Sequence, residues 1–201
     1  MIIQSRWIFA RKSLSQRFLK GNQNYAKRLR TDWRALIVNE NMIDKNVMAL
    51  RINYNLGDHG WADVNMMHRH QSVNMTASYL HDTLAEFITA ANLLLKGAPD
   101  AKVIAMDEPG EHIVHLKSSN ATGLDIEIRW FKDWASWNLI TEKEFEVVFK
   151  CHDTVLNFST EIFNNAKRIL DNQGTQGYKE KWIKHDFPMD EYNRLKSLLK
   201  K

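Results

Sequence analysis

The sequence is poor in residues that cross-link, kink or interrupt a chain. Its 201 residues include one cysteine, three prolines and eight glycines. A single cysteine excludes an internal disulfide framework and a zinc site built from several cysteines, and it fits the reducing cytoplasm. No run of about 18 uncharged apolar residues occurs, so we predict no membrane-spanning helix.

Several motifs that identify common chemistries are also missing. The chain lacks the phosphate-binding patterns GxxxxGK[ST] and GxGxxG, the HExxH metalloprotease helix, the GxSxG nucleophile elbow and an EF-hand loop. Nucleotide-dependent catalysis is therefore not expected, and no cofactor is predicted.

Positive charge is concentrated in residues 1–34, which contain nine lysines and arginines and a single acid, Asp32. This segment carries +8, and because the whole chain carries +4, residues 35–201 carry −4. We predict a basic, helical or partly ordered appendage over 1–34 and one domain over 35–201. An import signal, an upstream extension, and an arm for nucleic acid or a membrane surface are the alternatives for the appendage.

Alternating apolar and polar residues predict strands on either side of a helix. The helical period of three and four predicts one helix from about 78 to 96, a second from about 153 to 172, and a short one after Pro188. Because short turns join most strands, we expect an α+β domain with a largely antiparallel sheet of about six to seven strands and two long helices packed on one face. The predicted strands are 50–56, 61–68, a short one around 73–77, 102–107, 112–117, 124–131 and 144–152.

The stretch "NLGDHGWAD", residues 55–63, raises the question of an acid-base pair formed by Asp58 and His59. Alternation on both sides favours a hairpin corner instead, in which Gly57 and Gly60 adopt positive φ. In that interpretation His59 is exposed at the tip. Trp61 and Asp63 then project from one face of the next strand, where they are candidates for binding a partner.

Aromatic and acidic residues supply the other candidates for partner binding. Trp134 and Trp137 lie in a predicted loop, where large aromatic side chains need a packing partner or a ligand. Asp125 and Glu127 lie on a strand face expected to be exposed, as do Asp63 and Asp107. Together these acids either form an acidic surface suited to a basic protein or belong to an ordinary solvated sheet face.

Histidines give the alternative hypothesis of an enzyme. His68 and His70 are two residues apart and can bind a metal from one face of a strand, or they form a solvated pair at a turn. The third ligand would come from one of four residues: Glu108, Glu111, His112 or His115. On this hypothesis the chain is a small metal-dependent or acid-base hydrolase.

Four strings together resemble a group of small bacterial proteins encoded beside polymorphic and contact-dependent toxins, where immunity proteins are found. They are "INYNLGDHGWADVNM", "MTASYLHDTLAEFITAANLLLKG", "MDEPGEHIVHL" and "GYKEKWIKHDFPMDEYNRLKSLL". The resemblance covers about residues 47–200 and leaves out the basic head. It implies a non-enzymatic cytoplasmic protein that binds and blocks a cognate toxin domain, and it identifies no functional residue.

Overall fold

Alternation of apolar and polar side chains builds the first three strands into an antiparallel meander. The computed structural model describes residues 49–119 and 122–200. β1 (Arg51–Leu56), β2 (Trp61–His68) and β3 (Gln71–Ser78) pair in chain order. The register places Ile52 opposite Met66 and Tyr54 opposite Val64, and all four side chains are buried. The other face of each strand is largely exposed.

Helix α1 (Thr83–Leu95) begins five residues later than the sequence predicted. The expectation that Ser78 or Thr76 caps it was wrong, because β3 continues through both residues. The cap is Asp82, whose carboxylate accepts a hydrogen bond from the Ala85 N–H at 3.4 Å. The helix ends before Gly97, as predicted.

Four further strands form a second antiparallel meander. β4 (Asp100–Met106), β5 (Glu111–Ser118), β6 (Gly123–Phe131) and β7 (Glu146–Thr154) again pair in chain order. The connection between β6 and β7 contains a short 3-10 turn, Ala135–Trp137. A bulge lies at Ile128/Arg129, where the register between β6 and β7 shifts.

The chain closes with helices α2 (Val155–Trp182) and α3 (Met189–Leu198). At Gly174 the backbone of α2 leaves helical geometry, with φ 63° and ψ −178°, and the helix then resumes. The sequence predicted that this helix ends at about residue 172, and the structure instead has an interruption at Gly174. Near the start of α2, the side chain of Leu156 is exposed.

The α+β class and the antiparallel pairing are confirmed for the described residues, with seven strands and three helices. The strands form two sheets and not the single sheet predicted, because α1 separates β3 from β4 and the two strands do not pair. One cluster of buried apolar residues draws side chains from every strand and helix. The packing of two long helices on one face stays a prediction.

Two further predictions concern membranes and the basic head. None of the helices in the described part of the chain has the length and apolarity needed to cross a membrane. The basic appendage predicted over 1–34 lies outside the described residues.

The outer edge of β1 is closed by side chains of α2. The Asn165 side chain accepts a hydrogen bond from the Tyr54 N–H at 2.9 Å and donates one to the Ile52 carbonyl at 2.7 Å. Glu161 accepts from the Ile52 N–H at 2.9 Å, and Arg168 donates to the Tyr54 carbonyl at 2.9 Å. Backbone groups that would be left unpaired at a sheet edge are therefore satisfied from the helix.

The same seam continues at the start of the strand. The Leu50 N–H donates to the carboxylate of Asp153 at 2.6 Å, and Asn157 donates from its amide to the Leu50 carbonyl at 3.0 Å. Four side chains of the seam recur every three or four residues, which places them on one stripe of α2: Asn157, Glu161, Asn165 and Arg168. The fifth, Asp153, lies at the end of β7, just before the helix begins.

Replacing the most buried member of this seam tests its contribution to stability. We expect Asn165→Ala to lower the free energy of unfolding by about 2–4 kcal/mol, because it leaves the buried Tyr54 N–H and Ile52 carbonyl without partners. Asn164→Ala, at the exposed neighbouring position, is the control and should change it by less than about 0.5 kcal/mol. Urea denaturation measures both, and equal effects of the two substitutions would contradict the seam's role.

Candidate functional site

A polar groove of about 680 Å³ lies on the face of the second sheet that points away from the core. The pairing registers place residues from all four strands side by side in two rows that cross the sheet. One row is Lys102, His115, Glu127 and Lys150. The other is Asp100, Lys117, Asp125 and His152.

Acidic and basic side chains lie side by side in these rows, and two acid–base pairs form between β6 and β7. Glu127 accepts hydrogen bonds from Lys150 at 2.8 Å and from Arg129 at 2.6 Å. The bond from Lys150, then that from Arg129, lowers the pKa of the Glu127 carboxyl. Asp125 lies 2.7 Å from His152. The two acids predicted to bind a partner are thus neighbours on β6, and each has a base beside it, so the groove is not an acidic surface.

Cys151 also lines the groove, although its thiol is not activated there. Burial, followed by the nearby carboxylates of Asp153 and Asp125, raises the pKa of this thiol to about 12. A thiol with that pKa is protonated at neutral pH, and the thiol is a weak nucleophile compared with the thiolate. Cys151 is therefore a half-buried thiol that its surroundings do not activate as a nucleophile.

The other end of the same sheet face is covered by the connection between β6 and β7. Ile113, Phe131 and Ala135 form a small buried cluster there, separate from the main core. The fully buried carboxylate of Glu111 accepts hydrogen bonds from the Ser136 N–H at 2.7 Å and from the Ser136 hydroxyl at 2.5 Å. A buried carboxylate without partners is costly, so these two bonds hold the connection against β5.

The two tryptophans of this connection have different environments. Trp134 is half-buried, and its indole N–H donates to the Asp107 carbonyl at 2.8 Å. Trp137 packs edge-on against Trp134, with ring centroids 4.8 Å apart, and remains 50% exposed. Three other exposed apolar side chains follow it, and together the four are called the apolar patch: Trp137, Leu139, Phe145 and Val147.

Arg129 links the apolar patch to the polar groove. Its guanidinium lies 4.3 Å from the centroid of the Phe145 ring, within range of a cation–π contact. The same side chain lines the groove and donates to Glu127. The two surfaces therefore form one continuous face of the second sheet.

Trp61 and Asp63 do not join this face. They lie on β2 in the three-stranded sheet, where Trp61 is half-buried and Asp63 is exposed. The other four of the six residues predicted to bind a partner form two pairs: Asp125 and Glu127 lie on one face of β6, and Trp134 packs against Trp137 in the connection at the other end of that face.

The corner that precedes Trp61 serves to dock α2. The Gly60 N–H donates to the Lys181 carbonyl at 2.7 Å, and Asp58 pairs with the Lys181 ammonium at 2.6 Å. Gly60 has φ 81°, as predicted, but the second residue with positive φ is His59 (57°) and not Gly57. At Gly57 the constraint is space, because a Cβ there would lie 2.9 Å from the Trp61 carbonyl oxygen.

His68 and His70, the pair considered as metal ligands, are not among the residues that line the groove, whereas His115, a possible third ligand, lies in one of its rows. His68 ends β2 and is half-buried, and His70 is exposed in the turn that follows. Burial lowers the pKa of His68, and this effect exceeds the influence of Asp153. Within residues 49–119 and 122–200, no three His, Cys, Asp or Glu side chains are grouped so that they could hold a metal ion.

Sequence reasoning missed the basic half of the groove and the role of Glu111. The polar positions of each strand are visible from their alternation, but which of them stand side by side depends on hairpin registers. Only the pairing registers align Lys102 on β4, His115 on β5 and Lys150 on β7 with Glu127 on β6. The sequence suggested Glu111 as a metal ligand, and it did not predict a buried carboxylate bonded to Ser136.

Comparisons with family models, with curated proteins and with solved structures give no match. The resemblance to immunity-type proteins therefore stays a prediction.

Two glycines with positive φ allow the corner to be tested against a matched control. A Cβ at Gly60 would lie 2.5 Å from the Tyr79 ring, whereas one at Gly97 (φ 90°) would have no heavy atom within 4 Å. We expect Gly97→Ala to destabilise by about 1–2 kcal/mol through backbone strain alone. Gly60→Ala adds a steric clash and should destabilise by at least about 1 kcal/mol more. Thermal or urea unfolding measures the difference, and equal losses would show that Tyr79 does not restrict the corner.

His112 predicts a pH dependence of stability. Burial lowers its pKa from 6.5 to about 4 in the folded protein, and its ring packs against Trp130 at a 45° tilt, with centroids 4.7 Å apart. As pH falls from 6.5 to 4, the unfolded chain binds a proton at this residue and the folded chain does not. Up to about 3 kcal/mol of stability is therefore lost across that window.

The variant His112→Phe keeps an aromatic ring beside Trp130 and removes the titrating group. Between pH 7 and pH 4 its unfolding free energy should fall by about 3 kcal/mol less than that of the unmodified protein. Urea denaturation at both pH values gives this difference. If the two proteins show the same change with pH, His112 is not the group responsible.

Proposed function

We propose that this chain is a non-enzymatic protein-binding module whose contact surface is the polar groove together with the apolar patch. The observation that carries the proposal is the continuity of the two surfaces through Arg129, which contacts both Phe145 and Glu127. Protein interfaces combine a small set of aromatic and arginine anchors with a polar rim in this way.

Rigidity of the connection between β6 and β7 supports this assignment. Binding through a mobile loop requires that the loop be ordered, which weakens affinity. Here Glu111 is bonded twice to Ser136, and Trp134 is bonded to the Asp107 carbonyl. Trp137 and Leu139 are thus presented by a connection that is already fixed to the sheet.

Alternation of charge in the groove favours recognition of a specific partner over general attraction. Neither sign dominates, so the groove does not attract every acidic or every basic protein. A partner that places an acid opposite Lys102 and a base opposite Asp125 is complementary, and a mismatched one brings like charges together. Discrimination among similar partners is what an inhibitor of one particular protein requires.

The partner in this proposal is a cognate bacterial toxin domain, which the chain binds and blocks as an immunity-type protein in the cytoplasm. A standard interface needs about 800 Å² on each side, an area that the sheet face and the adjoining connection together can supply. The alternative of a hydrolase using His68 and His70 has no contact in its favour among the described residues. We therefore propose no enzymatic function.

The direct test is co-expression with the C-terminal domain of a large secreted protein encoded beside this chain's gene. The chain should co-purify with that domain and restore growth of cells that express it. The absence of any such neighbouring gene, or failure of both assays, would contradict the immunity proposal.

Two equally exposed leucines allow the proposed surface to be compared with another part of the molecule. Leu139 and Leu156 are each 60% exposed, the first in the apolar patch and the second on α2. We expect Leu139→Ala combined with Trp137→Ala to weaken binding of the toxin domain at least about tenfold, and Leu156→Ala to leave it unchanged. Calorimetric titration gives both affinities. Loss of binding with Leu156→Ala alone would move the interface to α2.

A further inference from the structure

The two sheets have edge strands that helices cover to different extents. At the β1 edge the outward-facing backbone groups of Leu50, Ile52 and Tyr54 are bonded to side chains of α2 or, for the Leu50 N–H, to Asp153 just before that helix. Strand β4 is an edge of the second sheet, and α1 lies beside it. The hydrogen bonds between α1 and β4 show which part of the β4 edge is closed.

Only one residue of β4 is bonded to α1. The Ile104 N–H donates to the Glu86 carboxylate at 2.7 Å, and the Ile104 carbonyl accepts from the Thr83 hydroxyl at 2.9 Å. In an antiparallel strand, alternate residues direct both backbone groups to the same side. The N–H and carbonyl groups of Lys102 and Asp100 therefore also face away from β5, toward the edge.

Beyond Ile104 the seam opens into a hollow of about 270 Å³ between α1 and β4. Beyond Glu86 the residues that α1 contributes to its wall are Thr89, Ala90 and Leu93, and only Thr89 among these three has a polar side-chain group. In the described part of the chain, no side chain bonds the backbone of Lys102 or Asp100. Side-chain hydrogen bonds of the kind that close the β1 edge are thus absent, among the described residues, at Lys102 and Asp100 of the β4 edge.

We propose that the open part of the β4 edge accepts an extended, positively charged segment of a partner protein, which adds to the sheet as a fifth strand. Its backbone would bond the N–H and carbonyl groups of Lys102 and Asp100, as in other cases of strand addition. Side chains on one face of the segment would enter the hollow beside Leu93.

The charged side chains around the hollow indicate which sign of charge the bound segment should carry. Asp82 and Glu86 line it, and Asp100 is exposed on the strand. A histidine lies beside each of the first two carboxylates, His185 at 3.7 Å from Asp82 and His81 at 3.0 Å from Glu86. Among the described residues of the wall, Lys102 has the only ammonium group, so carboxylates outnumber lysine and arginine side chains and a lysine or arginine of the segment is the complementary side chain.

This inference rests on the proposed function in one respect, that the ligand is a protein. The surfaces differ: the segment binds at the edge of the sheet, and the proposed interface is its face. Lys102 lines both the hollow and the polar groove, so an added strand would continue the sheet face beside the groove. A peptide titration examines the edge without the toxin domain.

Hydrogen exchange of the unmodified protein tests whether the edge is open. The Lys102 amide should exchange at least about a hundredfold faster than the Val103 amide, which faces β5, and faster than the Ile104 amide bonded to Glu86. Equal protection of Lys102 and Val103 would mean that the edge is already occupied, and would overturn the proposal.

A defined peptide tests strand addition itself. The probe is a capped pentapeptide of alternating valine and arginine, and the control is the same peptide with N-methyl groups on alternate amides along one edge. In NMR titrations the first should shift the amide signals of Asp100 and Lys102, and the second should not. Shifts confined to Asp125, Glu127 and His152, or none at millimolar peptide, would overturn the proposal.

Two substitutions at one position separate the backbone from the side chain. Lys102→Pro removes an N–H that faces the edge, where proline is tolerated in a strand. It should weaken peptide binding at least about tenfold, whereas Lys102→Ala keeps the N–H and should change binding less than about threefold. Equal losses in the two variants would assign the binding to the lysine side chain and overturn strand addition. Growth rescue by the toxin assay reports separately on the sheet face.

Discussion

The hydrogen-bonded seam between α2 and the edge of β1 is the constraint on which the rest of the arrangement depends. Outward groups of a strand repeat every two residues, about 6.8 Å, and one stripe of a helix repeats every four residues, about 6.0 Å. The near match allows a polar stripe of the helix to follow a strand edge over three successive positions. The helix and the strand run in the same direction, because the bonds from Asn157 to Arg168 follow the strand from Leu50 to Tyr54 in order.

Fixing α2 in this way determines where its far end lies. The C-terminal part of the helix carries Tyr178 and Trp182 into the core, and the Lys181 carbonyl reaches the Gly60 N–H. The corner between β1 and β2 is thereby held against the same helix that closes the β1 edge. The stretch that suggested an Asp58-His59 catalytic pair is a joint between sheet and helix, and Asp58 is paired with a lysine of that helix.

Local periodicity was enough to identify the strands, the class and the antiparallel pairing, because each depends on neighbours in sequence. The predictions failed where contacts between residues distant in the sequence determine the structure. Residue Ser78 belongs to β3 because it pairs with Trp61, and a helix start was predicted there. The polar stripe of α2 was overlooked because Asn165 looks like a solvated residue until β1 lies beside it. Likewise, Asp125 and Glu127 were visible as exposed acids, but the bases beside them come from β6 and β7 through a bulged register.

The rows of paired charges across the second sheet also bear on how such a surface can change over generations. Exchanging Asp125 with His152 would reverse the local order of acid and base and keep the same pair, the same composition and the same strands. Each exchange of this kind presents a different order of positive and negative charges to a binding partner. The buried residues that hold the strands together are unchanged. A face organised in balanced pairs can therefore acquire new preferences by permutation, with folding and solubility largely preserved.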